Sequence, residues 1–365
     1  MKEKQHPQPA QKLTLETIAK LAGVSRSTAS RVINDQAGVK AEVRQRVQDV
    51  IAETGYRPNL AARSLTNQRT GLIGLVIPRA VQNVFTDPYF PRLIQGITQV
   101  CNQHGCTLSL FLFHTEEEEK QLYPRLLNHS MLDGILVASS ETHDPLVEKL
   151  AQSNVPHLTI GRTLLGTETN YVDVDNETGA YTAVSHLIRL GYQRIATITG
   201  PMNTCGGLHR FNGYKNALLN KNMPVREELI AYGDYSEISG YHALNALLAQ
   251  KPDALFVASD AMTQGALRAL SANGLSVPND IALVSFDDLP FAPLTMPPLT
   301  TVRQPIKRIG VLAVETLLDI IEHGPTPTRR LIMPTELIIR SSCGAQKTKK
   351  SESAIQPSAF QQKAD

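Results

Sequence analysis

The sequence predicts an α/β protein in two parts: a small all-helical N-terminal head and a larger body of doubly wound parallel sheets. Three observations carry this. Apolar residues from Leu15 to Ile51 follow the i, i+3, i+4, i+7 repeat of amphipathic helices. From Gly71 the pattern changes to short apolar runs alternating with helical stretches. The same alternation restarts after Asp173, which makes two βα arrays in succession.

In the head, Leu15, Ile18, Ala19 and Ala22 form one helical stripe, and Gly23 ends it, since glycine tolerates a left-handed C-terminal residue. Ser25 is a good N-cap for a second helix with Ala29, Val32 and Ile33 inside. Its other side carries Arg26, Ser27, Thr28, Ser30 and Arg31. Two short helices across a glycine turn, the second rich in hydroxyls and arginines, read as a helix-turn-helix. A third helix, Lys40 to Thr54, buries Val43, Val47, Val50 and Ile51.

In the body, residues 71–78 read as a buried strand, followed by helix 90–104 and strand 107–113. The acid run Glu116–Glu119 opens a helix, where carboxylates meet the positive end of the dipole. Strand 134–139, helix 146–152 and strand 157–160 complete the first array. The second runs through helix 177–190, strand 194–199, helix 208–221, strand 229–232, helix 237–250, strand 254–258, helix 262–273 and strand 281–286. A late helix spans 304–322.

Composition narrows the function. At 365 residues, 42% hydrophobic and 19% charged, the chain has the make-up of a soluble protein of two or three domains. It holds no apolar run of about 18 residues and its first twelve are polar, which predicts a cytoplasmic protein without a membrane span. Four cysteines without paired spacing predict thiols rather than a disulfide frame or zinc site. The net charge of +2 conceals an asymmetry: residues 12–69 hold ten Lys and Arg against five Asp and Glu, while the chain from Thr70 onward is net acidic. A basic head on an acidic body suits a phosphate-binding module joined to a sensor. There is no Walker loop, GxGxxG, GxSxG elbow or metal-ligand spacing, so neither catalysis nor a cofactor is expected.

In open α/β sheets ligands bind beyond the carboxyl ends of the strands. The residues there are Asp87, Tyr89, Phe90, Gly161 and Arg162 in the first array. The second array adds Arg210, Tyr235, Ser259, Asp260 and Asp287, and Gln304 follows. Carboxylates accept from vicinal hydroxyls, arginine donates a fork, and aromatic rings cover an apolar sugar face.

Ala22-Gly23-Val24-Ser25, Ser30-Arg31-Val32-Ile33-Asn34 and Tyr56-Arg57-Pro58-Asn59 with Ala61-Ala62-Arg63-Ser64-Leu65 resemble the lactose-repressor family of bacterial transcription regulators, and the match runs to about Arg340. The resemblance implies a two-lobed body of periplasmic-binding-protein type in which the chain crosses between lobes three times, near Asp173, Thr300 and Pro334. The implied organisation is a tail at 1–12, the head at 13–56, a hinge helix and linker at 57–69, the body at 70–343 and a tail at 344–365. Lobe 1 would hold about 70–172 and 301–333, and lobe 2 about 173–300 and 334–343. The resemblance also implies a dimer on a pseudo-palindromic operator, controlled by a small sugar-like effector. The helix Ser25–Asn34 would lie in the major groove, with Arg26, Ser27 and Thr28 on base edges and Ser30, Arg31 and Asn34 on the backbone. Thr14, Ser25, Asn59, Ala61, Ala62 and the wedge Leu65 would complete the DNA-facing set. The resemblance places Tyr89, Phe90, Arg162, Arg210, Tyr235, Ser259, Asp287 and Gln304 at effector positions. Lys40 departs from the family, which has serine capping the third helix there. The body alone would also suit a periplasmic-type solute-binding protein.

Overall fold

Patterning at the helical repeat gives a three-helix head. The computed structural model describes residues 13–56, 69–128, 131–138, 141–164 and 169–345, and its contacts separate a unit ending at Thr70 from one beginning at Gly71. In the first unit, α1 (Leu15–Leu21) is capped by Thr14, whose hydroxyl accepts from Thr17 N at 3.2 Å. Gly23, at φ +63°, makes the turn to α2 (Arg26–Ile33). Ser25 caps α2 by accepting from Thr28 N at 3.1 Å. Helix α3 (Ala41–Thr54) follows, and Lys40 gives it no side-chain cap. Ile18, Ala22, Val32 and Val47 form the core, so each helix contributes to one small apolar centre.

The second unit contains two six-stranded sheets with the same strand order. In the first, β1 (Leu72–Ala80), β2 (Thr107–Phe113), β3 (Gly134–Val137), β4 (His157–Ile160), β5 (Tyr171–Val174) and β11 (Arg330–Met333) lie in the order β2-β1-β3-β4-β5-β11. In the second, β6 (Ile195–Thr199), β7 (Ile230–Tyr232), β8 (Ala254–Val257), β9 (Ala282–Asp287), β10 (Thr300–Arg303) and β12 (Glu336–Ile338) lie as β7-β6-β8-β9-β10-β12. All pairings are parallel except β10 with β12. Residues of β3, β6, β8 and β9 are almost wholly buried, as expected for strands covered on both faces.

Around the first sheet lie α4 (Val81–Thr86), α5 (Tyr89–Gln103), α6 (Glu116–Leu126), α7 (Pro145–Ala151) and the late helix α12 (Ile306–His323). Around the second lie α8 (Asn176–Arg189), α9 (Cys205–Leu219), α10 (Glu237–Leu248) and α11 (Asp260–Ala272). Helix α12 belongs to lobe 1 because it packs backbone to backbone on α5. A Cβ on Gly96 would strike the Lys307 carbonyl, and one on Gly310 the Leu93 carbonyl.

Two expected lobe boundaries are corrected. Asp173 and Val174 lie in β5, paired with β11, so lobe 1 continues to Val174 rather than ending at 172. Residues 301–303 belong to lobe 2, since Thr300–Arg303 pairs in parallel with Val284–Asp287. The second crossing therefore falls at Gln304–Pro305. A strand reading Thr-Thr-Val-Arg offers no apolar run for patterning to register. The third crossing is Pro334–Thr335, between β11 and β12.

Candidate functional site

A cavity of about 320 Å³ opens at the carboxyl ends of both sheets. Asp87, Tyr89, Phe90, Arg210, Tyr235, Ser259, Asp287 and Gln304 all line it. Arg162 does not. Its Nε donates to Asp173 Oδ2 at 2.7 Å and its Nη2 to the Val174 carbonyl at 3.5 Å, so it reaches the cavity through two lining residues.

Arg210 projects from α9 and is 7% exposed. Its Nε donates to Asn176 Oδ1 at 2.8 Å and its Nη1 to the Ala258 carbonyl at 2.5 Å. Nη1 also lies 3.4 Å from Asp287 Oδ1, and the guanidinium sits 3.8 Å from the centre of the Phe286 ring. Asp287 terminates β9 in the left-handed region, at φ 120°. It accepts from Gln304 Nε2 at 2.5 Å, so the second crossing is tied to the cavity floor. Burial pushes the Asp287 carboxyl above the usual range against the opposing pull of Arg210. Asp260, behind it, is raised first by burial and then by the charge of Asp287. It accepts from Leu289 N at 2.7 Å and from Thr301 Oγ1 at 2.8 Å, and does not line the cavity.

Tyr89 keeps its phenolic proton: burial, then Asp173 and Asp287, raise it well above the usual range. Ser259 caps α11, accepting from Met262 N at 3.2 Å, and faces the cavity as well. Tyr235 lies against Gly200, where a Cβ would clash with the phenol end of the tyrosine. Cys205, just below the wall, is fully buried, and burial pushes its thiol up to about 11.

Sequence reasoning missed Glu141, Asp173, Asn176 and Asn203 as lining residues. Asp173 and Asn176 were missed because β5 itself was not read as a strand, whereas Glu141 and Asn203 sit four residues beyond the ends of β3 and β6, farther than the strand-end rule was applied there. Glu141 and Asn203 also lie where the two lobes touch. Glu141 forms an antiparallel bridge with Thr204, and Thr142 N donates to the Asn203 carbonyl at 2.8 Å.

In the head, Arg26, Ser27 and Arg31 are exposed, and Thr28 and Ser30 half-buried. Ser25 Oγ lies 2.8 Å from both Ser27 Oγ and Thr28 Oγ1, so α2 begins in a cluster of three hydroxyls. Asn34 Nδ2 donates to Ser30 Oγ at 3.3 Å, while Asn34 Oδ1 is enclosed without a partner. Asn59, Ala61, Ala62 and Leu65, with the rest of the expected hinge helix, lie outside the described residues. Among described residues, no group of three or more His, Cys, Asp or Glu could hold a metal, and no helix is long and apolar enough to cross a membrane.

Comparison with known proteins agrees with both halves. Residues 14–59 match the model for bacterial regulatory proteins of the lacI family, and 184–343 match that for a periplasmic binding protein-like domain. The HTH-type transcriptional regulator CelR of Thermobifida fusca is 39% identical over 333 residues, covering 90% of this chain and 98% of CelR. The structure of a CelR–cellobiose complex superposes with a TM-score of 0.72 at 37% identity, over 90% of this chain and 99% of that one. The lac repressor dimer bound to operator and the anti-inducer ONPF superposes with a TM-score of 0.80 at 28% identity, over 91% and 99% of the two chains. With a capped helix-turn-helix, two parallel sheets of matching order and a colinear relative spanning nine tenths of its length, this chain belongs to the lacI family of bacterial regulatory proteins, helix-turn-helix DNA-binding transcription regulators rather than enzymes.

Proposed function

We propose that this protein is a cytoplasmic, homodimeric repressor of carbohydrate-utilisation genes, controlled by a sugar-like effector bound between its lobes. The observation that carries this is the cavity lining: hydrogen-bonding carboxylates, amides and a guanidinium beside the aromatic rings of Tyr89, Phe90 and Tyr235. Its 320 Å³, roughly ten waters at their liquid share of about 30 Å³ each, is room enough for a small sugar. The similar CelR forms a complex with cellobiose, which makes that sugar the first to test.

The effector set is Asp87, Tyr89, Phe90, Arg210, Tyr235, Ser259, Asp287 and Gln304, with Arg162 acting through Asp173. On the DNA side, Arg26, Ser27 and Thr28 reach base edges. Thr14, Ser25, Ser30, Arg31 and Asn34 meet the backbone of a pseudo-palindromic operator. Asn59, Ala61, Ala62 and Leu65 form the hinge that enters the minor groove. Effector binding alters the angle between the lobes and so the spacing of paired hinges, which is a two-state coupling.

A gel shift on the native promoter, titrated with cellobiose and other sugars, tests the reading; operator affinity unchanged by every sugar would remove the effector role. In the same assay Arg26→Ala costs about 1–3 kcal/mol and relaxes specificity at one position, whereas Arg31→Ala weakens all sequences alike and lowers the salt slope by about one. The reverse pattern would exchange their roles.

A further inference from the structure

We propose that the second crossing carries a further ligand site, which takes a small anion bearing phosphoryl groups. A groove of about 680 Å³ opens there, and both lobes build it. Lobe 1 contributes Arg92 from α5 and Lys307 and Arg308 from α12, while lobe 2 contributes Asp288, Arg303 and Arg340. Arg303 Nε donates to Asp288 Oδ2 at 2.7 Å, and Arg340 Nη2 lies 2.7 Å from Asp288 Oδ1, so one buried carboxylate anchors two guanidiniums. Arg92 Nη1 approaches the Asp288 carbonyl at 3.5 Å. Two exposed carboxylates also pair with these cations: Glu336 is 3.5 Å from Arg303 and Glu315 is 3.7 Å from Arg308. Five cations against three carboxylates leave an excess of two positive charges. Lys307 is exposed and makes no side-chain hydrogen bond or ion pair among the described residues.

The backbone adds to that charge. Helix α12 is 18 residues long and begins in the groove with no side-chain cap from Pro305. The Lys307 and Arg308 amides have no acceptor among the described residues, so the positive end of the helix dipole joins the side-chain cations. Asp288 Oδ1 is out of line with Arg340 and accepts no hydrogen bond, although its side chain is only 7% exposed. An enclosed acceptor without a donor marks a place for a ligand O–H. Guanidinium forks and a helix N-terminus match phosphoryl oxygens, and the O–H of a hydrogen phosphate or of a phosphate ester's alcohol meets Asp288. Gln304 lines this groove and the effector cavity alike, and its amide donates to Asp287. An anion spanning Arg92 and Lys307 on one lobe and Arg303 and Arg340 on the other therefore restrains the crossing that the sugar also touches, which makes it a second effector. The coupling rests on the effector reading above; the site does not.

The test is calorimetric titration of the full-length protein at low salt with inorganic pyrophosphate and with glycerol 3-phosphate, glycerol serving as the uncharged control. Saturable binding of at least one anion, and none of glycerol, is expected; the tighter of the two tells an inorganic ligand from an ester. Lys307→Gln and Arg92→Gln are each expected to weaken that binding by about tenfold, the loss of one charge-assisted hydrogen bond, with the unfolding midpoint unchanged. No saturable binding of either anion would overturn the site. Binding that neither variant weakens would place the anion elsewhere, on the basic head above all, and would overturn it too. A saturating sugar, cellobiose first, is expected to shift the anion affinity by about fivefold or more, with the reciprocal shift in sugar affinity. An anion affinity unchanged with the sugar bound would overturn the coupling and leave the site. Failure of every sugar to bind would overturn the effector reading and leave the site as well.

Discussion

Arg210 is the residue on which the charge balance of the cavity turns, and Arg210→Met removes its charge while keeping most of its stem. Asp287 then loses its cation but keeps Gln304 Nε2 at 2.5 Å and the Asp260 amide at 3.4 Å. Removing one partner of a buried ion pair costs about 3–5 kcal/mol. The pair here is buried on both sides, with side-chain exposures of 9% and 8%, so solvent screens it little. Its 3.4 Å separation and the remaining donors point to the lower end, about 3 kcal/mol. In the unit from Gly71 onward, at about 2.1 cal/mol/K of unfolding entropy per residue, that lowers the Tm of the body by about 5 °C.

The pH dependence separates lost charge from lost packing. Burial raises the Asp287 carboxyl above its unfolded value, so its contribution to stability is present below the unfolded pKa, near pH 4, and is lost as pH rises through the folded value. Arg210 opposes that rise, so the variant should carry an Asp287 raised further still. Its deficit against the parent is largest at about pH 8 and shrinks toward about pH 5, where the carboxyl is neutral. Scanning calorimetry of both proteins across that range, without sugar, is the measurement. A Tm within about 2 °C of the parent, or a deficit that does not change with pH, would refute the assignment of Arg210 as counter-ion to Asp287.

Two further changes probe the cap of α3 and the Gly200–Tyr235 contact. Lys40→Ser supplies the missing cap of α3 and should raise the stability of the head by about 1 kcal/mol, read as a later first transition in urea unfolding of the full chain. Gly200→Ala drives a methyl into the Tyr235 ring; at an overpacking cost of about 1–3 kcal/mol it should weaken sugar binding about tenfold or more, read by titration, while operator affinity without sugar is unchanged.

The parts legible in the sequence were those with a local signal. A hydroxyl cap announced the helix start at Ser25, an acid run announced the one at Glu116, and the apolar run from Leu72 announced β1. What was not legible depended on partners distant in the chain. Strands β5, β10, β11 and β12 are three or four residues long, and sequence patterning identified none of them. β10 is a strand because Thr300–Arg303 completes a ladder begun by Val284–Asp287. The same limit governed the site. Residues beyond long strands, such as Asp287, were found from the strand-end rule. Asn176 was hidden because β5, the strand it follows, was itself unseen. Arg162 shows the converse: its place at the end of β4 was correctly read, but only the fold reveals that Asp173 takes its guanidinium away from the cavity.

The short strands that escaped sequence reading are also the ones that make the cavity responsive. β5, β10 and β11 end where the chain passes between lobes, and each passage bears a bond connected with the site. At the first, Asp173 accepts from Arg162 and from Asn176, which in turn accepts from Arg210. At the second, Gln304 donates to Asp287. At the third, Thr335 Oγ1 donates to the Asp175 carbonyl at 3.4 Å, joining the third passage to the first. Rotating one lobe against the other must change backbone dihedrals at these passages, since no other covalent link joins the sheets. A ligand that engages Asp173, Arg210 and Asp287 therefore touches the groups that restrain that rotation. Its differential affinity for two lobe angles follows from contact with the pivots themselves, which is the condition for any ligand to shift such an equilibrium.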